Sequence, residues 1–148
     1  MHTVAEVLAF KGSEIWWVSP EASVRDALEI MAERDIGALL VMKDDKLCGI
    51  FSERDYARKV VRAGKASKDT PVAEVLTAKV LWVPPERTVE ECMALMTDKH
   101  IRHLPVLEGE RVVGMLSIGD IVRSVIWQQK FIIGELERYI SGVPSRRG

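Results

Sequence analysis

The chain has 148 residues, of which 47% are hydrophobic, and its 21 basic side chains nearly balance 22 acidic ones. The net charge of −1 argues against non-specific binding of nucleic acid, which needs a broad basic field. No run approaches 18 apolar residues, so we expect no membrane span, and Glu6 within the first apolar run argues against a secretory signal.

The first 62 residues contain four segments with recognisable hydrophobic patterns. In chain order we predict a strand at Trp16–Val18, a helix from Val24, a hairpin of Ala38–Met42 with Leu47–Phe51, and a helix from Glu53. The helix from Val24 is amphipathic, because Ala27, Leu28 and Met31 follow at helical spacing. Ser23 stands where an N-cap belongs.

The same order of segments recurs, with Gly49 matched by Gly114 at a shift of 65 residues. It predicts a strand at Leu81–Val83, a helix from Val89 after Thr88, a hairpin of His103–Leu107 with Val112–Leu116, and a long helix Ile118–Ile140. Upstream, the string VAEVL occurs at Val4–Leu8 and again at Val72–Leu76, shifted by 68.

The duplication predicts one α/β (α+β) domain built from two repeats, each strand–helix–strand–strand–helix. We expect repeat 1 at 1–62, a polar linker at 63–71, repeat 2 at 72–141 and a frayed tail at 142–148. Since neither repeat can bury its apolar faces alone, the two should pack about a pseudo-two-fold axis.

The most specific local motif is G-h-h-S-x-x-D, where h is apolar, found as Gly49–Asp55 and Gly114–Asp120. One interpretation is a capping box, with serine as the N-cap and aspartate at the third helical residue. The other is a ligand site, since a helix start attracts anions and a carboxylate can accept hydrogen bonds from a ribose diol. The two interpretations are compatible.

With this motif present twice in a duplicated hairpin–helix unit, the chain resembles the CBS-domain family, specifically the tandem pair called a Bateman module. The resemblance covers nearly the whole chain. It is most similar to stand-alone CBS-pair proteins, through the phrases GIFSERDYARKVV, HIRHLPV and GMLSIGD and a helix ending ERYISG.

The resemblance implies two clefts between the repeats that bind adenosine nucleotides. In such modules the motif's aspartate holds the ribose, and its serine contacts ribose or phosphate. The first cleft would then comprise Ser52, Asp55, Ile101, Arg102, His103 and a wall running from Thr77 to Val80. The second would comprise Ser117, Asp120, Ile36, Gly37, Ala38 and the segment Gly12–Ile15.

We expect the Asp55 cleft to be the better nucleotide site. Arg54, Arg102 and His103 could meet one phosphate as charge-assisted donors there. Gly37 and Ala38 stand where repeat 2 has Arg102 and His103, so the second cleft lacks that charge. The arginines could equally be solvated surface charges, and His103 a structural hydrogen-bonding residue.

The favoured function is a non-enzymatic sensor of energy or redox state that signals to a regulated protein not identified here. AMP is the preferred ligand, followed by ADP, ATP, NAD(H) and S-adenosyl compounds. The alternative is a protein-interaction module without a physiological nucleotide. We expect no catalytic residues and no metal, because the three histidines and two cysteines lack ligand spacing. The cysteine count makes a reducing, cytoplasmic location the default.

The long final helix carries Ile126, Trp127, Ile133, Leu136 and Ile140, and it outlasts its counterpart in repeat 1. This spare apolar surface suggests part of a homodimer contact, which the family resemblance also implies.

Overall fold

The computed structural model describes residues 2–141 and confirms the mixed helix and strand class. Its elements are helix α1 (Val4–Lys11), strand β1 (Trp17–Val18), helix α2 (Val24–Arg34), strands β2 (Ala38–Lys43) and β3 (Lys46–Ser52), helix α3 (Glu53–Asp55, continued by a π-helical segment Tyr56–Val61), a 3₁₀ turn (Val72–Glu74), helix α4 (Val89–Lys99), strands β4 (His103–Glu108) and β5 (Arg111–Ser117), and helix α5 (Ile118–Ser141). The predicted tail at 142–148 lies outside the described residues.

Helices α2 and α4 begin at the predicted caps. The Ser23 hydroxyl accepts a 3.0 Å hydrogen bond from the Asp26 amide, and the Thr88 hydroxyl accepts one of 3.1 Å from the Glu91 amide. Each helix ends at a left-handed residue, Asp35 and His100 respectively. The left-handed conformation turns the chain sharply into the next hairpin.

Both predicted hairpins are present, and each carries a bulge at the same place in the repeat. The register shifts after Val41 in the β2–β3 pair and after Val106 in the β4–β5 pair. The turns contain left-handed residues, Asp44 and Asp45 in the first and Gly109 in the second. Such residues match the twist of a tight hairpin.

The predicted strand at Leu81–Val83 is wrong in extent, since only Val83 forms a β-bridge, parallel to Val106. In repeat 1 the amide of Leu40 donates to the carbonyl of Trp16, and β1 forms alongside β2. The residue matching Leu40 is Pro105, which has no N–H to donate to Leu81. The ladder therefore shrinks to one residue.

The two repeats exchange their leading segments. Val4, Val7 and Leu8 of α1 pack into the core of repeat 2. Val72 and Val75, at the start of repeat 2, pack into the core of repeat 1. The anchoring hydrogen bonds match in the two halves, since the Val4 amide donates to Arg87 and the Val72 amide donates to Ala22, both at 2.8 Å.

The sheets of the two repeats meet in a third apolar cluster between them. Ala38, Leu40 and Ile50 come from repeat 1, and Leu107 and Val112 from repeat 2. The expected packing of two halves into one domain is thereby observed, and the cluster fixes the position of each β–α junction against the opposite repeat.

Helix α5 packs on the body along its first half, where Ile121 is fully buried and the ring of Trp127 lies 5.7 Å from that of His2. From Ile126 onward its apolar side chains are about half exposed or more, and Tyr139 and Ile140 are more than 80% exposed. Within residues 2–141, no helix combines the length and hydropathy needed to cross a membrane.

Candidate functional site

A cavity of about 440 Å³ lies between the β3–α3 junction of repeat 1 and the chain entering β4 of repeat 2. Nine residues predicted for the first cleft line it together, namely Ser52, Arg54, Asp55, Thr77, Lys79, Val80, Ile101, Arg102 and His103. Four further residues line it, namely Gly37, Ile50, Glu53 and Leu81. Their role in binding a ligand remains a prediction.

The carboxylate of Asp55 is buried at one wall of this cavity. Its Oδ2 accepts hydrogen bonds from the Ser52 amide at 2.9 Å and the Ser52 hydroxyl at 3.0 Å. Its Oδ1 accepts from the Thr77 hydroxyl at 2.9 Å and lies 3.0 Å from the Lys59 ammonium. The capping-box interpretation of the first motif is therefore correct, and the carboxylate also ties α3 to Thr77.

Three cationic side chains line the cavity. Arg54 donates a 2.6 Å hydrogen bond to the His100 carbonyl, which leaves its other guanidinium N–H groups available. Arg102 and Lys79 are exposed and form no hydrogen bond or ion pair through their side chains with residues 2–141. The wall therefore offers positive charge that is not neutralised by a close carboxylate.

His103 is half-buried beside Gly37, in the segment of repeat 1 that matches Arg102 and His103 of repeat 2. Burial lowers the pKa of His103, and the nearby Arg102 and Lys11 lower it further, while Asp120 opposes them. The imidazole is thus neutral at pH 7 in the free protein. It offers a hydrogen bond there rather than the positive charge expected from the sequence.

Gly37 lines this first cavity, although it was assigned to the second cleft. A Cβ on Gly37 would lie 2.8 Å from Glu53 Oε1 and 3.4 Å from His103 Cε1. The missing side chain thus provides the space beside the imidazole. Glu53 was missed as a lining residue, although its place inside the serine–aspartate motif was a signal for it.

The second motif is built differently around Asp120. Its Oδ2 accepts hydrogen bonds from the Ser117 amide at 2.8 Å and the Lys11 ammonium at 2.7 Å. Its Oδ1 accepts one of 2.7 Å from Arg123. Burial alone would raise the pKa of Asp120, but the bonds from Lys11 and Ser117 outweigh it and hold that pKa below its usual value.

Asp120 lines a cavity whose other walls differ from those predicted for the second cleft. The cavity measures about 420 Å³ and lies between α1 and α5, with His2, Glu6, Val7, Phe10, Lys11, Arg123, Ser124 and Trp127 as its other walls. None of Ile36, Gly37, Ala38 or the segment Gly12–Ile15 contributes to it. Ala38 is instead buried between the repeats, where its small side chain packs on the central cluster.

Within residues 2–141 there is no group of three or more histidine, cysteine or acidic side chains that could hold a metal ion. Both cysteines are free thiols, and burial raises the pKa of Cys92 to about 11.

Known proteins share the duplication found in this chain. A family model described as the CBS domain matches this chain twice, over residues 6–62 and 72–126. This chain belongs to the CBS domain family. Its two CBS domains form a pair, as the sequence resemblance implied.

Relatives of this CBS pair include proteins that share most of its length. The mitochondrial CBS domain-containing protein CBSX3 of Arabidopsis thaliana is 39% identical over 95% of this chain and 72% of its own length. A solved structure of a protein with CBS domains from Burkholderia ambifaria MC40-6 is 51% identical, with a TM-score of 0.82. The match covers 86% of this chain and 96% of that one.

A more distant CBS pair shares the fold. The CBS domain pair of protein MJ0100 is 22% identical, with a TM-score of 0.76 over 86% of this chain and 98% of that one. Its structure was solved in complex with 5′-methylthioadenosine and S-adenosyl-L-methionine.

Proposed function

We propose that this protein is a non-enzymatic regulatory module that binds an adenosine nucleotide, AMP first, in the cavity at Asp55. CBS-pair proteins are regulatory modules, and one with this fold holds two adenosyl compounds. The observation that carries the proposal is the placement of a buried carboxylate opposite unpaired cations in a cavity of about 440 Å³. Small-molecule sites commonly measure about 300–1,000 Å³.

The lining suits the three parts of AMP. Val80 and Ile101 supply apolar surface for the adenine, and Asp55 supplies acceptors for the ribose hydroxyls. Arg102 and Lys79 supply donors for the phosphate. Such charge-assisted hydrogen bonds are roughly twice as strong as neutral ones.

Ribose binding displaces donors that Asp55 holds in the free protein. Lys59 is 42% exposed and also donates to the Leu76 carbonyl at 3.3 Å, so its ammonium can turn from the carboxylate while it keeps another partner. The Thr77 hydroxyl can rotate while its backbone stays bonded to Ile50. The ligand therefore competes with exposed or rotatable groups and leaves the Ser52 cap in place.

We test this proposal by titrating AMP into the protein in a calorimeter, with Asp55→Ala as the variant. Loss of two hydrogen bonds to a carboxylate weakens binding by about tenfold to a thousandfold. Glu91→Ala is the matched control, because it removes a capping-box carboxylate on α4 away from the cavity. It should lower stability and leave the affinity for AMP unchanged.

A thermal-shift panel ranks AMP against ADP, ATP, NAD(H) and S-adenosylmethionine. A ligand at 100 times its Kd stabilises the folded state by about 2.7 kcal/mol, which raises Tm by about 5–10 °C in a chain of this size. If no adenosine compound raises Tm or releases heat, the nucleotide proposal is wrong.

A second candidate function is a protein-interaction module without a physiological nucleotide, which regulates an enzyme by docking. One observation favours it, because Asp55 already has four donors from its own chain. In that case Asp55→Ala would weaken the contact between the repeats, and no adenosine ligand would bind.

We further propose a homodimer that uses the exposed half of α5. Ile126, Ile133, Leu136 and Ile140 recur at the 7-3-4 spacing of a coiled-coil seam and are 46–82% exposed. A second copy offers the same stripe, so the contact is self-complementary. The two free cysteines support the further proposal of a cytoplasmic location.

A further inference from the structure

The two serine–aspartate junctions differ in the side chain that the segment after VAEVL places next to the aspartate. After the repeated string VAEVL, the chain continues as Thr77-Ala78-Lys79 in one copy and Ala9-Phe10-Lys11 in the other. Lys79 and Lys11 therefore hold the same place in the repeat. Lys79 lines the first cavity without an ion pair, whereas Lys11 is bonded across the second junction.

In the first junction Thr77 makes two bonds. Its amide donates a 2.8 Å hydrogen bond to the Ile50 carbonyl, and its hydroxyl donates one of 2.9 Å to Asp55. The chain beyond Thr77 then passes along the rim, which carries the Lys79 side chain away from the carboxylate.

In the second junction the Lys11 ammonium makes both equivalent bonds by itself. It donates a 2.8 Å hydrogen bond to the carbonyl of Met115, which matches Ile50, and a 2.7 Å bond to Asp120. The reason is local structure, because α1 stays helical through Lys11 and is capped by Gly12. The matching segment forms only the short turn Val72–Glu74 before its bridge to Ile50.

We propose that Lys11 closes the second cleft with its own ammonium, so that each chain binds one nucleotide, at Asp55. This inference rests on the proposed nucleotide binding and adds its stoichiometry and the residue that sets it. Asp120 is only 7% exposed, and Arg123 pairs with its other oxygen.

The chemistry favours closure over ligand binding at this junction. Ribose hydroxyls are neutral donors, whereas the Lys11 ammonium is an ionised donor held next to the carboxylate by its own backbone. Replacing it would leave the buried carboxylate of Asp120 with Arg123 as its remaining close cation, and would also break the hydrogen bond from Lys11 to the Met115 carbonyl. At the first junction the displaced cation is Lys59, whose side chain is 42% exposed, against 32% for Lys11.

The experiment compares the number of AMP molecules bound per chain in the unmodified protein and in Lys11→Met, by calorimetry with folding checked by circular dichroism. Methionine keeps the aliphatic stem and removes the charge. We expect one AMP per chain before the change and two after it. The double variant Lys11→Met with Asp120→Ala should return to one, because it removes the carboxylate that Lys11→Met exposes.

Lys43→Met is the matched control, since it removes an ion-paired lysine that lines neither cavity and should leave the number bound at one. Lys11→Gln provides a second variant if methionine perturbs folding. One AMP per chain in both Lys11 variants, or two in the unmodified protein, would overturn the closure by Lys11. Neither outcome would contradict the proposed nucleotide binding at Asp55. Absence of AMP binding in every protein would instead overturn the proposed function and, with it, this inference.

Discussion

The guanidinium of Arg54 donates a 2.6 Å hydrogen bond to the backbone carbonyl of His100, so a side chain of repeat 1 holds the end of a helix in repeat 2. His100 is the left-handed residue that ends α4. Arg54 also lines the proposed nucleotide cavity. One side chain therefore couples the contact between the repeats to the site between them.

Arg54→Ala should lower the stability of the domain by about 1 kcal/mol, because Arg54 is exposed and its bond to His100 should contribute about as much as a typical intramolecular hydrogen bond. For a chain of this size the corresponding fall in Tm is about 2–4 °C. Arg58→Ala is the control, since Arg58 carries the same charge on the same helix and is exposed. An equal fall in both variants would contradict a specific role for the His100 contact.

Alanine at Gly49 and at the matched Gly114 should have different effects. A Cβ at Gly49 would lie 2.5 Å from the backbone carbonyl oxygen of Thr77, which cannot move without breaking its bridge to Ile50. A Cβ at Gly114 would meet only the flexible end of Leu8, at 2.8 Å.

We therefore expect Gly49→Ala to destabilise the protein by about 2–3 kcal/mol and Gly114→Ala by about 1 kcal/mol, the range typical of overpacking. Denaturant unfolding measures both. Gly49→Ala should also weaken AMP binding because it shifts Thr77. The reverse order of stabilities would show that Leu8 is held more rigidly than the bridge.

The stability of the protein should depend on pH through His103. Its folded pKa lies below the ordinary value of 6.5, so the unfolded chain binds a proton more readily near that pH. Above about pH 6.5 the free energy of unfolding keeps the full contribution of the neutral His103. As the pH falls towards the lowered folded pKa this contribution is lost, with a slope of at most about 1.4 kcal/mol per pH unit.

His103→Gln should reduce the loss of stability between pH 7 and pH 5.5, as measured by denaturant unfolding at both pH values. His100→Asn is the control, because asparagine tolerates the left-handed conformation and removes a different histidine. A nuclear magnetic resonance titration of His103 with a midpoint at or above 6.5 would contradict the lowered pKa.

Ile133→Lys should separate the proposed dimer into chains of 16.6 kDa, whereas the unmodified protein should have twice that mass by light scattering. A charge in the middle of the apolar stripe cannot be buried against its copy. Tyr139→Lys adds the same charge at a position that is 87% exposed and lies outside the apolar stripe, and it should leave the mass unchanged. A monomeric mass for the unmodified protein at micromolar concentration would refute the dimer.

The regular elements were largely predictable because local patterns specify them. The hairpins and the helices after Ser23 and Thr88 follow from hydrophobic spacing and capping residues. The long helix predicted at Ile118–Ile140 is observed at Ile118–Ser141. The shortened strand at Val83 depends on a single proline, Pro105, in the neighbouring strand. The hydrophobic pattern of Leu81–Val83 itself does not indicate that the strand is shortened.

The candidate site was predictable in part. Motif and resemblance placed Asp55 opposite Arg102, and the structure brings these residues to one cavity. The second cleft was not predictable in the same way, because its geometry depends on how far α1 stays helical. Repeat 1 has extra residues between VAEVL and its first strand, in the part of the chain where Lys11 reaches Asp120. The sequence shows them only because the spacing between matched residues of the two repeats changes from 68 to 65.

The exchange of leading segments sets an order of events during synthesis. Repeat 1 can complete its core once Leu76 has left the ribosome, because the other members of that core precede it. Helix α1 leaves before repeat 1 but finds its own core only after Ile121 has emerged. Until then the apolar residues Val4, Val7 and Leu8 remain without their native partners. Helix α1, although made before repeat 1, is therefore among the last parts of this domain to be buried.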